Sequence, residues 1–130
     1  MPTKTPDELH RLVTTILMAV GADEANASRV AEGLVSSNLA GVDPHGVWHL
    51  TGYVRDIRDG YLVPTAVPET VSETPTTALV TGNWTFGFVA AKYSMELAIQ
   101  KAKEQGISLV GIARSGHIGR LGEYTEMAAG

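Results

Sequence analysis

The sequence predicts an α/β fold in which a three-helix N-terminal segment (1–60) precedes a small sheet with flanking helices (61–130). Three observations lead there. Apolar residues recur at helical spacing between Leu9 and Val20, between Ala27 and Leu39 and between Val47 and Ile57, and a glycine follows each run. The stretch from Tyr61 to Val80 is instead rich in Pro, Thr and Val, which suits extended backbone. Beyond it, a helix, strand, loop, helix order sets a glycine-rich loop at the carboxyl end of a strand, where open α/β sheets bind ligands. No G-x-G-x-x-G follows a strand, so the arrangement is non-Rossmann. The last helical pattern runs to the final residue, so the two parts are expected to form one incomplete domain of a larger architecture.

Taken in order, Pro6, Asp7 and Glu8 open the first helix, and Gly21 stops it. Asp23 offers an N-cap to the second helix, which continues to Gly41. After the turn Asp43-Pro44-His45-Gly46, a third helix is expected from Val47 to Gly60. Its face of Val47, Leu50, Val54 and Ile57 opposes a charged face of Arg55, Asp56, Arg58 and Asp59. Two short strands follow, the second over Ala78-Leu79-Val80. Gly82-Asn83-Trp84-Thr85 then supplies turn chemistry before a long helix ending at Gly106. Ile107 to Ala113 is almost wholly apolar and predicts a strand buried on both faces. A loop with Ser115-Gly116-His117-Ile118-Gly119 leads into a helical pattern from Leu121 to Ala129.

Composition excludes several function classes. A net charge of -4 leaves no basic stripe to neutralise a phosphate backbone, so nucleic acid is not an expected partner. The absence of cysteine removes disulfides and thiolate metal sites. No window approaches the apolar length of a membrane span, and Met1 to His10 lacks the basic and apolar regions of a signal peptide. A soluble cytoplasmic protein is expected.

Two histidine loops carry the candidate chemistry. His45 follows Asp43, and an imidazole titrating near its ordinary pKa of about 6.5 can exchange a proton with an alcohol or carbonyl oxygen at neutral pH. The same residues also fit a plain helix start, with Asp43 as N-cap and Pro44 in the first position. His117 sits between small residues that let backbone approach a ligand closely, and it equally fits an ordinary strand-to-helix turn. His10, His49, Tyr53, Lys92, Trp48 and Trp84 read more simply as surface or core residues. His45 and His49 share the i, i+4 spacing of a metal pair, but no Glu stands at the H-E-x-x-H position and no third ligand is evident, so no metal site is expected.

These segments together resemble the malate/L-lactate dehydrogenase type 2 family. Gly41-Val42-Asp43-Pro44-His45-Gly46-Val47, with Tyr53-Val54 and Gly60 after it, is similar to that family's G-x-D-S-H-G-V block and its Y-V-x-R-x-x-x-G tail, with Asp56 at the Arg position of the tail. Ser115-Gly116-His117-Ile118-Gly119 with Tyr124 and Ala128 is similar to its S-N-H-F-G-x-x-x-x-Y-x-x-x-A block. The likeness runs collinearly over nearly the whole chain. It implies the N-terminal portion of an oxidoreductase that transfers a hydride between NAD(H) or NADP(H) and small 2-keto or 2-hydroxy acids, on a fold of its own. His45 and His117 would be the catalytic acid/base pair, with Ser115, Tyr53, His49 and Asp43 around the substrate and the cofactor-binding residues left unassigned. A portion of a larger enzyme taken alone should uncover apolar surface, so a homo-oligomer, a homodimer, is expected.

Departures bear on specificity. Pro44 replaces the usual Ser before the first histidine, and His49 replaces an Arg that would grip a substrate carboxylate bidentately. Gly116 and Ile118 stand where Asn and Phe are usual. Most cofactor-binding segments of the family lie beyond the position of Gly130. Two other readings stand beside the enzyme: a noncatalytic scaffold or oligomerisation remnant of the family, and a small-acid binding module built on residues 115–119.

Overall fold

The computed structural model describes residues 2–130, which divide into two compact units meeting at Thr65 and Ala66.

In the first unit, helix α1 (Pro6–Ala19) starts in a capping box. Thr5 Oγ1 accepts from the Glu8 amide, and the Glu8 carboxylate accepts from the Thr5 amide. Gly21, at φ +110°, turns the chain, and Asp23 caps helix α2 (Glu24–Leu39) by accepting from the Asn26 amide. Val13 and Leu17 of α1 are buried, as are Ala27, Val30, Ala31, Leu34 and Val35 of α2. Each buried Val or Leu contributes at most about 1.5–3 kcal/mol, and helices this short depend on such packing more than on propensity. Asn26 Nδ2 donates to the Pro64 carbonyl at 3.0 Å, tying the end of the unit back to α2.

The third helix starts later than its apolar pattern suggests. Asp43–His45 and Val47–His49 form two short 3₁₀ turns, and α3 covers Leu50–Arg58. The cause is local: Gly46 is extended between the turns, and the Val47 amide donates to Asn38 Oδ1 at 2.9 Å instead of entering a helix.

In the second unit, strands β1 (Glu69–Glu73), β2 (Thr77–Thr81) and β3 (Leu109–Ala113) form a sheet in that order. The β1–β2 pair is antiparallel with an irregularity at Val71. The β2–β3 pair is parallel, from Thr77 opposite Leu109 to Thr81 opposite Ala113. A parallel neighbour requires a crossover, and helix α4 (Gly87–Gln105) supplies it, ending at Gly106 with φ +85°. Val80, Phe86, Phe88, Ala90 and Ala91 are buried in this unit. Lys101 crosses to the β1 end of the hairpin, its ammonium 2.7 Å from Glu73 and 2.8 Å from the Thr74 carbonyl. Helix α5 (Gly122–Ala129) follows the His117 loop.

The α/β class holds, but the reading of Ile107–Ala113 as a strand buried on both faces is corrected. Among the described residues only β2 pairs with β3. Leu109 is 72% exposed, and Ile112 is exposed as well. An apolar run carries no record of which of its faces and edges are covered. No helix among the described residues is long and apolar enough to cross a membrane.

Candidate functional site

The first unit brings together Asp43, His45, His49 and Tyr53. Asn38, near the end of α2, organises the approach to them: its Nδ2 donates to Asp43 Oδ1 at 2.8 Å while its Oδ1 receives the Val47 amide. Asp43 thus forms no side-chain cap on the turn it opens. A Cβ at Gly46 would lie 2.3–2.5 Å from the Asn38 amide group, so glycine is what lets the loop close on Asn38. The Pro44 carbonyl accepts twice, from Trp48 Nε1 at 3.0 Å and from His49 Nε2 at 2.7 Å. A carbonyl cannot donate, so His49 Nε2 carries a hydrogen. The His49 ring lies 4.5 Å from the Trp48 ring, 6.2 Å from Tyr53 and 6.4 Å from His45. His45 is half-buried and Tyr53 buried.

The second unit holds Ser115 and His117 in a loop at the carboxyl end of the parallel β2–β3 pair. The strand ends are tied by Gly82 N to Ala113 O at 2.8 Å and Trp84 N to Arg114 O at 2.9 Å. Asn83, Trp84 and Arg114 all have positive φ (50°, 62° and 52°), a conformation costly for non-glycine residues and enriched at functional sites. Asn83 is held there by Thr81 Oγ1 and by donating to the Val67 carbonyl. The loop then passes over the start of α4, where a Cβ on Gly87 would fall 2.0 Å from the His117 carbonyl oxygen. Tyr124 of α5 donates to the Ile118 carbonyl from the other direction. His117 is half-buried, and Ser115 Oγ is enclosed with no hydrogen-bond partner among the described residues.

Arg120, just beyond this loop, makes a bidentate pair with Glu126 at 2.8 and 2.9 Å. The hydrogen bond from Arg120 holds the Glu126 carboxyl below its ordinary 4.5. A lowered folded value means the pair's stabilisation is complete above pH 4.5 and is lost as pH falls through the lowered value. Acid titration of unfolding stability should therefore show this loss in the unmodified chain, and Glu126→Gln should remove that part of the pH dependence. An unchanged acid limb would count against the pair.

Sequence reasoning missed Asn38, Gly87 and Phe88 as parts of the site. Their roles depend on contacts distant in the chain, and no local spacing signals them. No group of three or more His, Cys, Asp or Glu among the described residues is placed to hold a metal ion.

A family model described as malate/L-lactate dehydrogenase matches residues 5–130. Hydroxycarboxylate dehydrogenase B of Escherichia coli is 37% identical over 93% of the chain and 34% of its own length. Malate/(S)-sulfolactate dehydrogenase of Methanothermus fervidus is 38% identical, over 95% and 37%. Among solved structures, malate dehydrogenase from Entamoeba histolytica superimposes with TM-score 0.93 at 36% identity, covering 98% of this chain and 36% of that one. The Pyrococcus horikoshii OT3 malate dehydrogenase gives TM-score 0.90 at 38% identity, covering 95% and 36%. The chain spans about a third of the length of the curated relatives it matches.

Proposed function

The chain belongs to the malate/L-lactate dehydrogenase family, and from that premise we propose that it is the N-terminal portion of an oxidoreductase acting on a small 2-keto or 2-hydroxy acid with NAD(H) or NADP(H). The observation that carries the reading is the His117 loop: a titratable ring beside an enclosed hydroxyl, on backbone held by the start of α4. Reducing a carbonyl requires a proton at oxygen as hydride reaches carbon, and an imidazole can supply it near neutral pH. His117 and His45 are the two groups assigned to that proton. Ser115 is assigned to hydrogen-bond the substrate oxygen. His49 steadies the His45 turn through the Pro44 carbonyl, Tyr53 stacks on His49 and Asp43 is held by Asn38, and these three are assigned to the substrate side of that turn.

A nicotinamide group would approach this loop at Gly116, where a Cβ would meet nothing within 4 Å. When bound, that group supplies the hydride. A cradle for its diphosphate is a different matter: Gly87 at the start of α4 is already packed against the His117 carbonyl, and Arg120 Nη1 lies 2.7 Å from where a Gly122 Cβ would be at the start of α5.

Because the chain spans only about a third of its relatives' length, the 130-residue chain alone is expected to bind NADH and NADPH weakly or not at all and to turn over little. Fluorescence titration of both cofactors against the chain, with and without a 2-keto acid, tests this. Saturable binding with sustained oxidation would overturn it.

A second reading is a noncatalytic member working through association; the exposed Ile107, Leu109, Ile112 and Leu121 would suit it, and they would equally suit contact with the remaining two thirds of a relative-sized enzyme. The two readings agree on a cytoplasmic homo-oligomer and part on turnover.

A further inference from the structure

Resting on the reading of His45 as a proton-handling group, we propose that Asn38 is the positioning residue of the first histidine turn, its one amide clamping Asp43 and Val47 and so holding the backbone that carries His45. Asn38 lies in the last turn of α2. Backbone bonds from the Asn38 and Ser37 carbonyls tie the end of α2 to Gly41 and Val42. The Asn38 side chain carries the attachment on to both ends of the segment 43–47, donating from Nδ2 to Asp43 Oδ1 at 2.8 Å and accepting from the Val47 amide at 2.9 Å.

The sense of these two bonds is fixed by chemistry. A backbone amide can only donate and an ionised carboxylate can only accept, so Val47 demands Oδ1 and Asp43 demands Nδ2 of the same planar group. Leucine has nearly the shape of asparagine and makes neither bond. Aspartate makes one of the two.

Between the anchors the segment has little freedom left. Pro44 has its φ locked at roughly −65°. His45 N donates to the Val42 carbonyl at 3.0 Å and Gly46 N to the Asp43 carbonyl at 2.9 Å. Gly46 is buried, and a Cβ there would fall 2.3–2.5 Å from the Asn38 amide group, so that amide fills the space where any other residue at 46 would place its side chain. The clamp sets where the His45 backbone stands and leaves the rotamer of the ring to other contacts.

Backbone amide exchange in the 130-residue chain tests the clamp, with Asn38→Leu keeping the packing and removing both bonds. Exchange at Val47 should speed up about tenfold, the loss of one hydrogen bond. Exchange at His45 and Gly46 should speed up with it, while amides inside α1 and α2 stay protected. Asn38→Asp keeps the Val47 bond but sets two carboxylates against each other, so the His45 and Gly46 amides should open. Asp43→Asn in that background reverses donor and acceptor and should close them again. Asp43→Asn alone should change little, because an amide oxygen at 43 still accepts from Asn38.

His45 and Gly46 amides that stay protected in Asn38→Leu would mean that packing alone holds the turn and would overturn the proposal. Failure of Asp43→Asn to rescue Asn38→Asp would do the same, and that pair decides should Asn38→Leu not fold. In an enzyme whose N-terminal third is this chain, Asn38→Leu should lower kcat by about 10²-fold through misplacement of His45, and the reversed pair should recover it. An unchanged kcat in Asn38→Leu where His45→Ala is impaired would overturn the positioning role. A kinetically silent His45→Ala would instead remove the reading of His45, with the clamp still judged by amide exchange.

Discussion

Gly87→Ala should lower the stability of the second unit by about 1–3 kcal/mol or more, the cost of forcing atoms into a packed site. Helix propensity alone predicts the reverse sign, since alanine is favoured over glycine inside a helix by about 1 kcal/mol. The contact decides the outcome. The new Cβ would sit 2.0 Å from the His117 carbonyl oxygen, 2.5 Å from its carbon and 2.6 Å from the Gly116 carbonyl oxygen. All three are backbone atoms, so no side-chain rotation relieves them, and the His117 loop must lift or α4 must shift. Gly52→Ala in α3 is the matched comparison: a Cβ there meets nothing within 4 Å, so propensity acts alone and stability should rise. Denaturant midpoints of the two variants should move in opposite directions. A Gly87→Ala midpoint at or above that of the unmodified chain would mean that the loop does not rest on α4.

What local sequence reveals and what it hides follow from the range of the interactions. The Pro6-Asp7-Glu8 opening of α1, the Asp23 cap and the glycine ends of α1, α2 and α4 are set by neighbours within one helical turn, and they are legible from residue types alone. The start of α3 is set by Asn38 reaching the Val47 amide from the preceding helix, so its apolar period misplaces the boundary. The edge position of β3 has the same origin, because Leu109 and Ile112 would read identically in a central strand. The histidine loops show a mixture. His45 and His117 stand out by chemistry and by their flanking glycines, whereas the parts that hold them, Asn38, Gly87 and Phe88, come from helices remote in sequence and have no signature of their own.

Turnover in an enzyme whose N-terminal third is this chain, joined to the remaining part of a matching relative, should fall by about 10²–10⁴-fold on replacing the histidine that exchanges the substrate proton, the usual contribution of a positioned acid or base. His117→Ala and His45→Ala separate the two candidates. The proton-exchanging histidine should show the loss in kcat, together with disappearance of the pH limb that its titration produces. A histidine that only binds or shapes the site should raise KM and leave the limb in place. His49→Ala provides a third comparison. Its Nε2 supports the Pro44 carbonyl, which also accepts from Trp48, so its loss should weaken the His45 turn without abolishing it. The expected order is therefore a larger effect at His45 than at His49 if the first loop carries the proton, and an effect confined to His117 if the second does. Unchanged kcat in both His45→Ala and His117→Ala would leave the loops as scaffold and favour the noncatalytic reading, in which the exposed apolar face of β3 matters more than either ring.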